Sequence, residues 1–346
     1  MWAIRVEGEA QEGEAQEGEA QEGADGLERL RLAEIDPPPP PGPGEVLIDV
    51  AAGALNFADL LMLTGAYQET PAAPFTAGME LSGTVAAVGR DVDGVFVGDR
   101  VAAYAGSGAF AERALVKDHA CLQIPPGADL ATAAALPVAF GTAHVGLVDR
   151  ARLKMGDLLL VTGAGGGVGL AAVALGAALG AEVIAAASSS EKLALAEAHG
   201  AAHRIDYATE DLRARVKEIA AAHGKSGADV VFDPVGGALF QQALRATGFE
   251  GRVLVVGFAS GEVPQIPANL LLVKNIDVIG FYWGGYAARD PDVHRQSFRA
   301  LYEMLESGRI RPEVARRLPL ERAEEGYRLM RERKLAGRVI FDVAGE

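Results

Sequence analysis

The 346-residue chain has a single cysteine, Cys121, which excludes an intrachain disulfide and any zinc site built from several thiolates. It also lacks basic charge. Its 32 Lys and Arg stand against 47 Asp and Glu, and the formal charge of −15 repels nucleic-acid phosphates and anionic membrane surfaces. No stretch approaches the roughly 18 uninterrupted apolar residues of a membrane span, and the first residues show no basic region followed by an apolar core. Neither nucleic acid nor a membrane is therefore expected as a partner, and the expected address is the cytoplasm. What is present is 49% hydrophobic residues, 23% charged residues and 43 glycines, the composition of a folded globular protein. At roughly 150 residues per domain, the length suggests about two domains.

The chain begins with a low-complexity insert. GEAQE occurs three times over residues 8–22 and a fourth copy starts at Gly23, with no apolar face to bury. It is expected to be a solvated extension of a hairpin loop between strands at 2–6 and 27–34. Pro37 to Pro41 then force an extended link to an apolar strand at 46–50. Up to residue 124, short apolar runs broken by glycine predict a β-rich domain. After Pro125-Pro126-Gly127 the rhythm changes to alternating strands and helices. Strands are expected at 158–162, 182–187, 228–233, 252–257 and 276–281, and helices at 168–179, 190–199, 211–223 and 239–247. This pattern defines an α/β doubly wound parallel sheet. Helices at 297–307 and 321–333 and a strand at 338–343 could return to the first domain. The expected division is 1–126 with 287–346, and 127–286.

The glycine string from Gly163 to Gly169 lies between a buried strand and an amphipathic helix. Counted back from Gly169 it reads Ala164-x-Gly166-x-x-Gly169. In that setting glycines let the backbone turn sharply and approach a pyrophosphate at the positive end of the helix. The carboxylate that would accept from a ribose 2′-OH is missing at the end of the next strand. Ala187 stands 21 residues after Gly166, followed by Ser188-Ser189-Ser190, and Lys192 adds a positive charge one turn later. A 2′-phosphate, and hence NADPH, fits this pattern better than NADH; the competing reading of Lys192 is a solvated surface lysine.

These motifs, with Ala54-Leu55-Asn56-Phe57-Ala58-Asp59, Gly65-Ala66-Tyr67, Gly78-Met79-Glu80, Val97 to Val101, Asp233-Pro234-Val235-Gly236 and Phe281-Tyr282-Trp283-Gly284, resemble the medium-chain dehydrogenase/reductase superfamily. Within it they are most similar to the zinc-independent NADPH:quinone oxidoreductases that include zeta-crystallin. The resemblance implies a Rossmann NADPH-binding domain and a GroES-like catalytic domain. It places Asn56, Met79-Glu80 and Val138 where zinc alcohol dehydrogenases hold their catalytic metal, so no metal is expected. His199 and His203 have i,i+4 spacing, but Gly200 ends the helix between them, and both ligand count and geometry fail. The resemblance puts Asn56 and Thr142 beside the nicotinamide, with Asn56 offering a donor to a substrate carbonyl. Gly166, Gly167 and Val168 would hold the pyrophosphate. Ser188, Lys192 and Tyr207 would surround the 2′-phosphate, and Gly257, Phe258, Phe281 and Trp283 would line the nicotinamide pocket. Core packing is the other reading of the aromatic pair, as a turn residue is of Asn56.

Hydride transfer to a quinone is the leading expectation, since a flat acceptor needs little more than positioning and stabilisation of developing oxygen charge. Reduction of an enone or enoyl thioester, with Tyr67 assisting protonation, is the first alternative. A non-catalytic NADPH-binding protein is the second. The apolar run at 276–281 is the last strand of its sheet, and a homodimer formed across it is expected.

Overall fold

The computed structural model describes residues 1–8, 26–333 and 335–343. Six parallel strands form one sheet in the spatial order His203–Asp206, Glu182–Ala187, Leu158–Thr162, Ala228–Asp233, Thr247–Val255, Asp277–Gly280. Numbered along the chain this is 3-2-1-4-5-6, the doubly wound arrangement. Every residue of Leu158–Thr162 is buried, because helices cover both faces. Leu158, Leu160 and Ile184 pack beneath Leu212, Val216 and Leu244 on one face. On the other, Leu159 and Val161 join Leu170, Val173 and Leu175 of the helix Gly167–Ala178. Each such aliphatic side chain contributes about 1.5–3 kcal/mol through removal from water.

The glycine-broken runs before residue 126 form a second, mostly antiparallel sheet. Its order is Val314–Pro319, Arg338–Asp342, Glu45–Ala54, Glu80–Val88, Arg100–Tyr104, Cys121–Gln123, and Arg113–Lys117 also pairs with Glu45–Ala54. Gly83 has a steric reason to lack a side chain, since a Cβ there would overlap the Asp49 carbonyl on the neighbouring strand. Two register shifts between these strands curl the sheet around a core holding Ile48, Leu81 and Phe341. Arg338–Asp342 runs antiparallel to Glu45–Ala54, which carries the C-terminal segment back to the sheet built by the N-terminal strands.

Trp2–Val6 pairs antiparallel with Leu30–Glu34, Val6 facing Leu30, so the GEAQE insert separates two arms of one hairpin. The insert itself, apart from Gly8, lies outside the described residues. Several boundaries differ from the sequence expectation for identifiable reasons. A 3-10 turn at Leu27–Arg29 precedes the second arm of the hairpin. The helix expected at 297–307 is Pro291–Glu306, begun by a proline at its first position, where a missing N–H costs nothing. Val314–Pro319 is a strand that the sequence pattern does not predict; Arg316, Arg317 and Pro319 mask its apolar residues, a composition suited to a sheet edge.

Candidate active site

The loops that follow the parallel strands gather at the C-terminal end of the sheet, where most of the dinucleotide candidates lie. Gly163 adopts a positive φ of 59°, and a Cβ on Gly169 would overlap the Gly163 carbonyl, so loop and helix meet without side chains between them. Gly166 is exposed and extended at the helix start, with no side-chain cap, and the first-turn N–H groups of Gly167–Ala178 lack intrahelical partners. This is an anion cradle. Ser188 is exposed immediately beyond Ala187, which pairs with Asp206, and the Tyr207 N–H donates to the Ala187 carbonyl at 3.2 Å. Ser188 and Tyr207 therefore follow adjacent strand ends. Lys192 lies across Gly165, where a Cβ would come within 2.5 Å of the lysine Cβ, and its Nζ donates to the Arg333 carbonyl at 2.8 Å. Partial burial lowers the Lys192 pKa, and the nearby Arg333 charge acts in the same direction.

Two strands along the sheet from the glycine loop, Gly257 and Phe258 follow Thr247–Val255, with Phe258 38% exposed. The Thr162 hydroxyl and the Gly236 N–H both donate to the buried Asp233 carboxylate, which ties together the loops after two neighbouring strands. Thr142 is buried in the helix Pro137–Val145. Trp283 packs against this helix at Gly141, and Phe281 against Gly146, which caps its end. Trp283 is engaged further, stacked on His294 at 4.3 Å between centroids and edge-on to Tyr104 at 5.0 Å. At 5% exposed, it is part of the packed core.

Asn56 ends the turn after Glu45–Ala54 and is buried with all its polar groups occupied. Its Nδ2 donates to the Ala54 carbonyl at 3.2 Å and to Glu80 Oε1 at 2.9 Å, its Oδ1 accepts from Arg338 at 3.0 Å, and its N–H donates to Asp59 Oδ2 at 2.8 Å. A substrate carbonyl could use the Asn56 amide only by displacing one of these partners. Glu80 accepts in addition from the Val138 N–H at 2.8 Å and from the Arg338 guanidinium. Burial raises the Glu80 pKa, and the Arg338 charge opposes that rise. Asp59 is pushed up to about 7, chiefly by burial. Tyr67 is half-buried, its ring edge-on to Tyr282 with 6.3 Å between centroids, and burial raises its pKa so that it keeps its proton at neutral pH.

Two residues of the site are not singled out by the sequence. Arg338 inserts a cation between Asn56 and Glu80, 282 and 258 positions away along the chain. Arg333, beyond its carbonyl contact with Lys192, donates from its guanidinium to the Ala259 carbonyl and so links Lys192 to the loop after Thr247–Val255. A basic residue opening an apolar strand, Arg338-Val339-Ile340-Phe341, was the available signal for the first. The positive φ of Arg333 has no counterpart in its residue type.

Known proteins share this fold. Residues 42–126 match the alcohol dehydrogenase GroES-like domain and residues 167–307 the family described as zinc-binding dehydrogenase. The chain thus belongs to the medium-chain dehydrogenase/reductase superfamily and is an oxidoreductase of that type. Within the superfamily it belongs with the quinone oxidoreductase-like proteins. It is 39% identical to quinone oxidoreductase-like protein 2 of Mus musculus over 315 residues, 91% of this chain and 89% of that one. It is 40% identical to the homologue from Nematostella vectensis over 304 residues, 87% and 82% of the two chains. The quinone oxidoreductase of Thermus thermophilus, solved also with NADPH, superposes with a TM-score of 0.80 at 32% identity, covering 99% of this chain and 100% of that one. Among the described residues no helix is long and apolar enough to cross a membrane.

Proposed function

We propose that the protein is a zinc-independent NADPH:quinone oxidoreductase. The observation that carries this reading is Arg338. At the positions that resemble a zinc ligand set, Asn56 and Glu80 bind a guanidinium, Val138 offers only its backbone and Met79 is buried in the core, so the donor chemistry does not fit a catalytic zinc. The uncapped loop at Gly166, Gly167 and Val168 fits a pyrophosphate, while Ser188, Lys192 and Tyr207 fit the 2′-phosphate. Bound there, NADPH supplies the hydride. Thr142, Gly257, Phe258 and Phe281 shape the nicotinamide side of the cleft, and Tyr67 borders the acceptor. A quinone takes up one hydride and one proton to give the hydroquinone, and the proton can come from water, so no strong acid is needed.

NADPH oxidation against 1,2-naphthoquinone, an enone and an enoyl thioester tests the reading. The quinone should turn over fastest, and Tyr67→Phe should leave its rate within about two-fold, because removing a general acid matters where protonation of carbon is required. An enone or enoyl-thioester rate that exceeds the quinone rate and collapses by about 10²-fold in Tyr67→Phe would give the site to alkene reduction.

Cofactor choice is a separate expectation. Lys192→Ala should raise KM for NADPH by about ten-fold, the loss of one charge-assisted hydrogen bond, and leave KM for NADH unchanged. Equal efficiency of the wild-type protein with both dinucleotides would contradict it.

We also propose a homodimer joined along Asp277–Gly280. That strand is the edge of the parallel sheet, and Leu272 and Val273 on the preceding helix are 77% and 64% exposed. Light scattering should report twice the chain mass at micromolar concentration, and Leu272→Glu with Val273→Glu should return a monomer.

A further inference from the structure

We propose that Glu182, His203 and His223 form a divalent transition-metal site, best suited to zinc, at the end of the parallel sheet opposite the nucleotide loops. The fold brings the three residues together for a simple reason. Glu182 opens the strand Glu182–Ala187 and, by the period-2 alternation of a strand, points to the same face as Ile184. His203 is the register partner of Ile184 on the neighbouring parallel strand and shares that face. The helix Leu212–Ala222 covers this face through Leu212, Val216 and Ile219, and His223 is its C-cap, so the helix ends above the starts of the two strands.

The geometry is nearly that of a ligand set. The Nε2 atoms of both imidazoles approach the same carboxylate oxygen, Glu182 Oε1, His203 at 3.0 Å and His223 at 3.8 Å. The two rings stand 86° apart with centroids 5.6 Å from each other, so both nitrogens converge on Glu182 without the rings stacking. All three donor atoms lie within 4.8 Å of one another. Donors about 2.0–2.1 Å from a tetrahedral zinc are separated by about 3.3 Å, a spacing reached from these positions by sub-ångström movements of partly exposed side chains. The donor types also suit the ion, since two neutral imidazoles and one carboxylate form a recurrent three-ligand zinc set that leaves the fourth position to water. Among the described residues Glu182 has no lysine or arginine partner; its ion partners are the two histidines. His199, which shares i,i+4 spacing with His203, turns elsewhere and meets Glu313 at 3.3 Å.

The site is distinct from the cleft. Glu182 and Ala187 lie at opposite ends of one strand, about 16 Å apart at the rise of an extended chain. A bound ion would tie the end of the helix to the first residues of two strands and act on the stability of the nucleotide-binding half without entering the reaction.

The test is titration of the chelator-stripped full-length protein with zinc alone, followed by competition with a chromophoric chelator. One high-affinity zinc per chain is expected, with the unfolding midpoint raised in its presence. His223→Ala, which changes a partly exposed residue beyond the last helical turn, and Glu182→Gln should each weaken binding by at least about ten-fold, as deletion of one of three ligands requires. Both variants should keep their NADPH-dependent turnover, which shows that they fold, and chelation should leave wild-type turnover unchanged. X-ray absorption of the zinc-loaded protein should show two imidazoles bound to the metal. Equal zinc affinity in the wild type and both variants would assign the metal to the acidic surface at large and overturn the proposal, as would absence of binding at about 100 µM zinc, a concentration at which a three-ligand site fills.

Discussion

Replacement of Arg338 by methionine should destabilise the protein by about 3–5 kcal/mol, a large share of the 5–15 kcal/mol that holds a typical domain folded. Methionine keeps much of the volume and removes the charge, which leaves Glu80 fully buried with only the Asn56 amide and the Val138 N–H as partners. The loss has a pH signature. Burial already raises the Glu80 pKa, and without the opposing guanidinium the folded value rises further above that of the unfolded chain. A raised folded pKa contributes stability that is present at low pH and lost as pH rises, so the variant should be weaker at pH 8 than at pH 5. Denaturant midpoints at the two values measure this directly. Adding Glu80→Gln removes the stranded charge and should recover part of the loss. A single variant with the wild-type midpoint at both pH values would mean that the pair holds nothing together.

Gly169→Ala should weaken NADPH binding by about 10–100-fold, the consequence of about 1–3 kcal/mol of overpacking. The added methyl would occupy the space of the Gly163 carbonyl, and neither side can yield easily. Gly163 is held at a positive φ, where its own Cβ would come 2.9 Å from Val235, and the helix is fixed by Leu170, Val173 and Leu175 against the sheet. The strain therefore falls on the loop whose N–H groups form the anion cradle. Fluorescence titration with NADPH would show it, whereas Ala174→Gly on the same helix, away from the loop, should cost only propensity, about 1 kcal/mol of stability. Unchanged affinity in Gly169→Ala would separate this loop from the cofactor.

The parts of the molecule legible in the sequence are those specified by neighbours in the chain. Leu158–Thr162, Glu182–Ala187 and Ala228–Asp233 have the limits expected, because a parallel strand buried on both faces reads as a continuous apolar run ended by turn residues. The glycine string likewise lies between a strand and a helix as its spacing implies, for the same local reason. Arg338 escaped because its meaning lies in two partners on the far side of the chain, and no periodicity marks a residue for burial beside a distant carboxylate. The convergence of His203 and His223 is similar: twenty positions separate them, and only the return of a helix over the sheet brings them to one carboxylate. The motif marks Asn56 as a candidate, yet its saturated hydrogen bonding is not legible there, since that depends on where Glu80 and Arg338 fold.

The placement of Arg338 also bears on how two ligands sense one another. Its guanidinium holds Asn56 and Glu80, on the side proposed for the acceptor, while its Cδ lies 2.5 Å from where Gly167, the first residue of the helix proposed to meet the dinucleotide, would carry a Cβ. One side chain is thus in contact with the walls of both compartments. Any factor by which a bound dinucleotide changes the affinity for the acceptor through that side chain must, by thermodynamic reciprocity, equal the factor by which the acceptor changes the affinity for the dinucleotide.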